Sequence, residues 1–104
     1  MNYVSTRNKS KSFKFKDVFI KGLADDGGLF IPDTLSKYSK KDLEALKDLE
    51  YNDLAKKIIS TFIGDFMSEN DLINIIDKSY SVFRKKNVVN LIKVGDRSVL
   101  ELFH

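Results

Sequence analysis

Cysteine is absent from this chain, so it can build neither a disulfide nor a thiolate metal site. Tryptophan is absent as well, and histidine occurs once, as His104, with no carboxylate cluster beside it. A metal centre is therefore not expected. Proline also occurs once, as Pro32, and glycine five times. No apolar run approaches the roughly 20 residues that a membrane-spanning helix needs. The opening Met1 to Arg7 lacks the hydrophobic stretch of a signal peptide. The expected location is cytoplasmic, with no membrane partner.

What remains is ordinary globular material. Over 104 residues the chain is 42% hydrophobic, and eight Phe and four Tyr provide large core pieces, enough for one domain spanning 1–104. The net charge of +3 is unevenly laid out. Residues 1–21 carry Arg7, Lys9, Lys11, Lys14, Lys16 and Lys21 against Asp17 alone. Such an arm could attract phosphates. Lysines alternating with Ser and Phe more often form a solvated loop and one helix face, and no nucleic-acid recognition signature accompanies them. Nucleic acid is not an expected partner.

The pattern along the chain reads as α+β. Tyr3 to Thr6 alternates like a strand, and Arg7 to Ser12 is a polar loop. Phe15, Val18, Phe19 and Leu23 form a helical stripe within Phe13 to Ala24, with Gly22 inside it at some cost in stability. Gly27 or Gly28 should provide positive φ before a short strand, Leu29 to Ile31, that Pro32 ends or places at a sheet edge. Ser39 to Asp42 is a capping box ahead of Leu43, Leu46 and Leu49. Tyr51, Leu54, Ala55, Ile58, Ile59, Phe62, Ile63 and Phe66 mark one face of a long helix, loosened at Gly64. Ser68 to Asp71 caps a further helix bearing Leu72, Ile75, Ile76, Tyr80 and Phe83, with Arg84, Lys85 and Lys86 at its C-terminal end. Val88 to Val94 and Ser98 to Phe103 flank Gly95-Asp96 as a hairpin expected to complete a small sheet with the N-terminal strands.

No residue combination here names a reaction. The neighbouring carboxylates of Asp25 and Asp26 do not converge as a general acid and base would, and fit a turn-shaping role. Gly27-Gly28 lacks the Lys-Ser/Thr of a phosphate loop and the spacing of a dinucleotide fingerprint. Glu101, set among Val99, Leu100, Leu102 and Phe103, calls for a partner if buried; Arg7 or a helix N-terminus is the expected one. The strand-like and mostly apolar end, Ser98 to Phe103, is unlike the polar tail of a finished domain. It is expected to be an interior segment of a longer protein.

Four blocks carry a resemblance. Tyr3-Val4-Ser5-Thr6-Arg7, the stretch Phe13 to Pro32 with Gly22-Leu23 and Asp26 to Phe30, Thr61 to Asp65, and Leu100-Glu101-Leu102-Phe103-His104 follow one another in order. Together they resemble the N-terminal part of threonine synthase, in the branch with an added N-terminal domain. Asn8 stands where that family has Gly, and Asn tolerates positive φ best among the other residues.

The resemblance implies a pyridoxal-phosphate (PLP) lyase that converts O-phospho-L-homoserine and water into L-threonine and phosphate. It also implies that the family's cofactor-bearing lysine lies just beyond the position of His104. On this reading the chain holds no catalytic and no cofactor-binding residue, packs on catalytic domains, and is inactive alone. His104, Asp26, Gly27 and Gly28 are the substrate-proximal candidates. Two alternatives stand beside it. One is a threonine-synthase-like phospho-lyase acting on a related substrate. The other is a stand-alone interaction module that binds anionic partners through the basic arm.

Overall fold

The computed structural model describes residues 1–83 and 88–101. Arg84, Lys85, Lys86, Leu102, Phe103 and His104 lie outside the described residues, and with them the basic helix end and the terminal histidine singled out above. The described chain is α+β, with element order β1 (Asn2–Ser5), β2 (Phe13–Lys14), α1 (Phe15–Lys21), β3 (Phe30–Pro32), α2 (Lys40–Leu46), α3 (Tyr51–Ile63), α4 (Glu69–Ser81), β4 (Asn90–Val94) and β5 (Arg97–Glu101).

The N-terminal sheet has strand order β2-β1-β3 and is antiparallel throughout. Its central strand β1 buries Tyr3, Val4 and Ser5 in succession, so both of its faces are covered. Pro32 sits opposite Tyr3 on the edge strand β3, where its missing N–H breaks no interior ladder.

Three boundaries depart from the sequence pattern. Phe13 and Lys14 form β2 by pairing with Tyr3 and Asn2, so the helix begins only at Phe15. That helix ends at Lys21, because Gly22 (φ 75°) is its C-cap and donates its N–H to the Val18 carbonyl. Leu23 lies outside it and bridges to Leu29. Likewise α3 stops at Ile63 with Gly64 as its cap, and is not loosened there. Among the described residues the hairpin forms a sheet of its own, β4-β5, and does not complete the N-terminal one.

The helices hold the core. Ile63, Leu72 and Ile76 are buried where α3 meets α4, with Phe15, Ile59, Phe66, Met67 and Tyr80 packed around them. Both serines expected to cap do so: the Ser39 hydroxyl accepts the Asp42 N–H at 3.2 Å, and the Ser68 hydroxyl accepts the Asp71 N–H at 3.1 Å. At α2 the box is reciprocal, since the Asp42 carboxylate accepts the Ser39 N–H at 2.8 Å, whereas the Asp71 carboxylate accepts the Ser68 hydroxyl at 2.7 Å and only the serine half of the box forms. Sheet and helices are joined through Tyr3. Its hydroxyl donates to the Phe62 carbonyl at 2.9 Å, satisfying one of the acceptors that the end of α3 leaves open. Burial pushes the Tyr3 hydroxyl pKa above its ordinary value.

Candidate functional site

Between α1 and β3 the chain makes a tight reversal whose geometry follows from its residues. Ala24 N–H donates to the Gly28 carbonyl at 3.0 Å and Gly27 N–H to the Ala24 carbonyl at 2.9 Å, which leaves Asp25, Asp26 and Gly27 as a three-residue loop. Such loops need a left-handed residue at their end, and Gly27 (φ 73°) takes that position. Asp25 pairs with Lys21 on the outside of the turn.

Asp26 turns the other way. Its Oδ1 accepts the Gly28 N–H at 2.9 Å and the Ser5 hydroxyl at 2.7 Å. The end of β1 closes over the turn from that side. The Arg7 guanidinium donates to the Asp26 carbonyl at 3.1 Å, and Arg7 N–H donates to Ser5 Oγ at 3.1 Å. Thr6 N–H reaches the Leu29 carbonyl at 2.8 Å, while Leu29 N–H reaches Thr6 Oγ1 at 3.0 Å. Ser5-Thr6-Arg7 and Asp26-Gly27-Gly28-Leu29 are thus clasped together residue by residue. The fit is close: a Cβ on Gly28 would lie 2.2 Å from Ser5 Oγ.

These contacts define what Asp26 can do. The Ser5 hydroxyl first, and then the Gly28 N–H, hold its pKa below the ordinary 3.8, with Arg7 adding to the effect and partial desolvation opposing it. A carboxylate ionised at neutral pH, with one oxygen already accepting two hydrogen bonds, is an anchor. It is not poised as a general acid.

Of the sequence candidates, Asp26, Gly27 and Gly28 come together, and His104 lies outside the described residues. Ser5, Thr6 and Arg7 join them. Their alternating pattern marked a strand end but could not reveal the partner across the sheet. Arg7 is engaged at this clasp and does not reach Glu101, which instead takes a long 3.5 Å hydrogen bond from Asn90.

The concavity beside the clasp, lined by Ser5, Asn8, Lys11, Phe13, Ala24, Asp25 and Asp26, holds only about 80 Å³. A roomier hollow of about 330 Å³ lies between α1, α3 and α4, against Phe15, Phe19, Ile63, Phe66 and Ile76. Its walls are almost wholly apolar, so it offers few groups to orient a charged substrate.

No described lysine is buried, and Lys56, the least exposed, is paired with Glu69 at 3.3 Å. The described residues therefore do not fit a cofactor held through a lysine in an enclosed pocket. Among the described residues no group of three or more His, Cys, Asp or Glu could hold a metal ion. No described helix is long and apolar enough to cross a membrane. Within the basic arm, Arg7, Lys14 and Lys21 have local partners at Asp26, Asn2 and Asp25.

Both halves of the clasp, together with the elements that follow, match a known pattern: residues 2–80 fit the family described as threonine synthase N terminus. The chain belongs to the threonine synthase N-terminal family. It is 34% identical over its whole length to threonine synthase of Pseudomonas aeruginosa, of which it covers 22%. It is 36% identical, again over its whole length, to threonine synthase-like 2 of Mus musculus, covering 22% of that protein. The crystal structure of PLP-bound threonine synthase from Brucella melitensis superposes with a TM-score of 0.91 at 32% identity, over 100% of this chain and 23% of that one. The chain therefore spans about a fifth of the length of these members of the threonine synthase family.

Proposed function

We propose that this chain serves as the N-terminal domain of a PLP-dependent threonine synthase, acting in the cytoplasm. The complete enzyme converts O-phospho-L-homoserine and water into L-threonine and phosphate, and the cofactor supplies the electron sink for that rearrangement. What supports the reading is the match to threonine synthases along the whole chain, combined with the same fold. In this role the domain packs on catalytic domains and performs no chemistry itself. The Ser5–Asp26–Arg7 clasp fixes the reversal at Gly27-Gly28 on the substrate side of the complete enzyme, and His104 is the remaining substrate-proximal candidate.

The test is direct. The complete reading frame that contains this chain, expressed and supplied with PLP, should release phosphate from O-phospho-L-homoserine and form L-threonine. The 104-residue chain alone should do neither. A complete protein that binds PLP yet leaves this substrate untouched would remove the assignment.

The similarity to threonine synthase-like 2 favours one second reading, a phospho-lyase for a related phosphorylated amino acid. Phosphate release from such a substrate, with O-phospho-L-homoserine left intact, would select it. The remaining alternative, an anion-binding module, requires salt-sensitive binding of a polyanion by the chain.

A further inference from the structure

We propose that β5 is a self-pairing edge, through which two copies of this chain associate about a two-fold axis at Val99. The proposal does not depend on the reaction discussed above.

Among the described residues the hairpin packs almost entirely against itself. A lone two-stranded sheet is marginal in water, and among the described residues β5 is an edge with one side open to pairing. Leu91 and Val94 of β4 and Val99 and Leu100 of β5 are all exposed. The Gly95-Asp96 turn closes on the Val94–Arg97 pair. Two-residue turns close on a hydrogen-bonded pair, and such pairs alternate along an antiparallel ladder. Arg97, Val99 and Glu101 therefore bond to β4, with Val94, Ile92 and Asn90 opposite them. The N–H and C=O groups of Ser98 and Leu100 face outward, where a further strand can meet them.

A second copy of β5 is a complementary occupant. Antiparallel pairing centred on Val99 places Ser98 opposite Leu100 of the other copy, so that the two such pairs form four backbone hydrogen bonds. The same register sets Arg97 opposite Glu101, twice, on the face that carries Val99. Opposite charges directly across a strand pair stabilise it, and like charges destabilise it. Glu101 accepts from Asn90, and the Arg97 of the other copy adds a guanidinium to the contacts that this carboxylate already makes. Ile92 lies beside Val99 on that face, so an Ile92–Val99–Val99–Ile92 row crosses the axis between the two ion pairs. The interface is self-complementary, as a closed two-fold dimer requires.

Sedimentation velocity of the 104-residue chain over a range of concentrations, with its charge variants, tests this. The chain should dimerise. Arg97→Glu, which opposes two carboxylates twice, should weaken dimerisation by about tenfold or more. Adding Glu101→Arg to it should restore the dimer by exchanging the charges. Hydrogen exchange on the unmodified chain needs no variant. Ser98 and Leu100 amides should gain protection with concentration, while the Val99 amide, bonded within the hairpin, should be protected throughout. A strict monomer at the highest soluble concentration overturns the proposal. So does association that ignores the charge reversal and leaves Ser98 and Leu100 unprotected, since another face would then be responsible.

Discussion

Ser5 is a small polar residue on a central strand, and its burial is explained by what its hydroxyl does. It donates to Asp26 and accepts from the Arg7 backbone, so one atom connects strand, turn and loop. Ser5→Ala should destabilise the fold by about 1 kcal/mol. It should also let the Asp26 pKa climb back toward its ordinary 3.8, which a carboxyl-resolved NMR titration reads directly. The pH dependence has a definite sign. Asp26 has a folded pKa below its unfolded one, so its stabilising contribution is complete above the unfolded value and lost as pH falls through the folded one. In acid unfolding curves, Asp26→Asn should flatten that limb while leaving the neutral baseline parallel to the parent's. An unchanged limb would show that Asp26 is not held as described. Gly28→Ala should be costly for a different reason, since the new methyl meets Ser5 Oγ at 2.2 Å and must displace it. Forced overpacking of this kind costs about 1–3 kcal/mol, measurable by urea unfolding. Gly28 was legible as part of the double-glycine turn, but its packing against Ser5 was not, because nothing local to residue 5 announces its contact with Asp26, 21 positions away.

At the level of elements, legibility followed locality. The stripes of α3 and α4 and both capping serines could be read directly, since their spacing and caps lie within one or two turns. The two-residue β2 could not, because Phe13 and Lys14 are extended only by pairing with Tyr3 and Asn2. The hairpin was legible from its turn, but its isolation from the N-terminal sheet was not, as no local pattern specifies which edge a strand joins. The two capping serines further separate by what their helices bury. Removing a Ser cap costs about 1 kcal/mol. Ser68→Ala should show that loss in global unfolding, because α4 contributes Leu72 and Ile76 to the core. Ser39→Ala should appear chiefly as faster amide exchange within α2, whose Leu43 is exposed and whose only buried residue is Leu46. Equal effects of both on the global midpoint would mean that α2 is more tightly coupled to the core than its burial indicates.

On the scale of the whole molecule, the exposed apolar side chains distinguish a self-sufficient domain from one that is covered. Leu23 and Leu29 bridge each other beside the Asp26 turn, yet are 59% and 60% exposed. On α1, Ile20 is 74% exposed. Single exposed leucines need no explanation, but this pair flanks the reversal that Ser5, Thr6 and Arg7 clasp. If the domain serves a complete threonine synthase, that flank is a natural surface for the catalytic part to cover. Leu29→Ser then has two different consequences. In the 104-residue chain, stability should change by no more than about 0.5 kcal/mol, as for an exposed position away from the core. In the complete protein, a buried leucine contributes about 1.5–3 kcal/mol. The same change should therefore lower its thermal midpoint and its turnover of O-phospho-L-homoserine together. Matching small effects in both proteins would place this flank in solvent and the covering surface elsewhere, with the apolar hollow between α1, α3 and α4 the next to probe through Ile75→Ser.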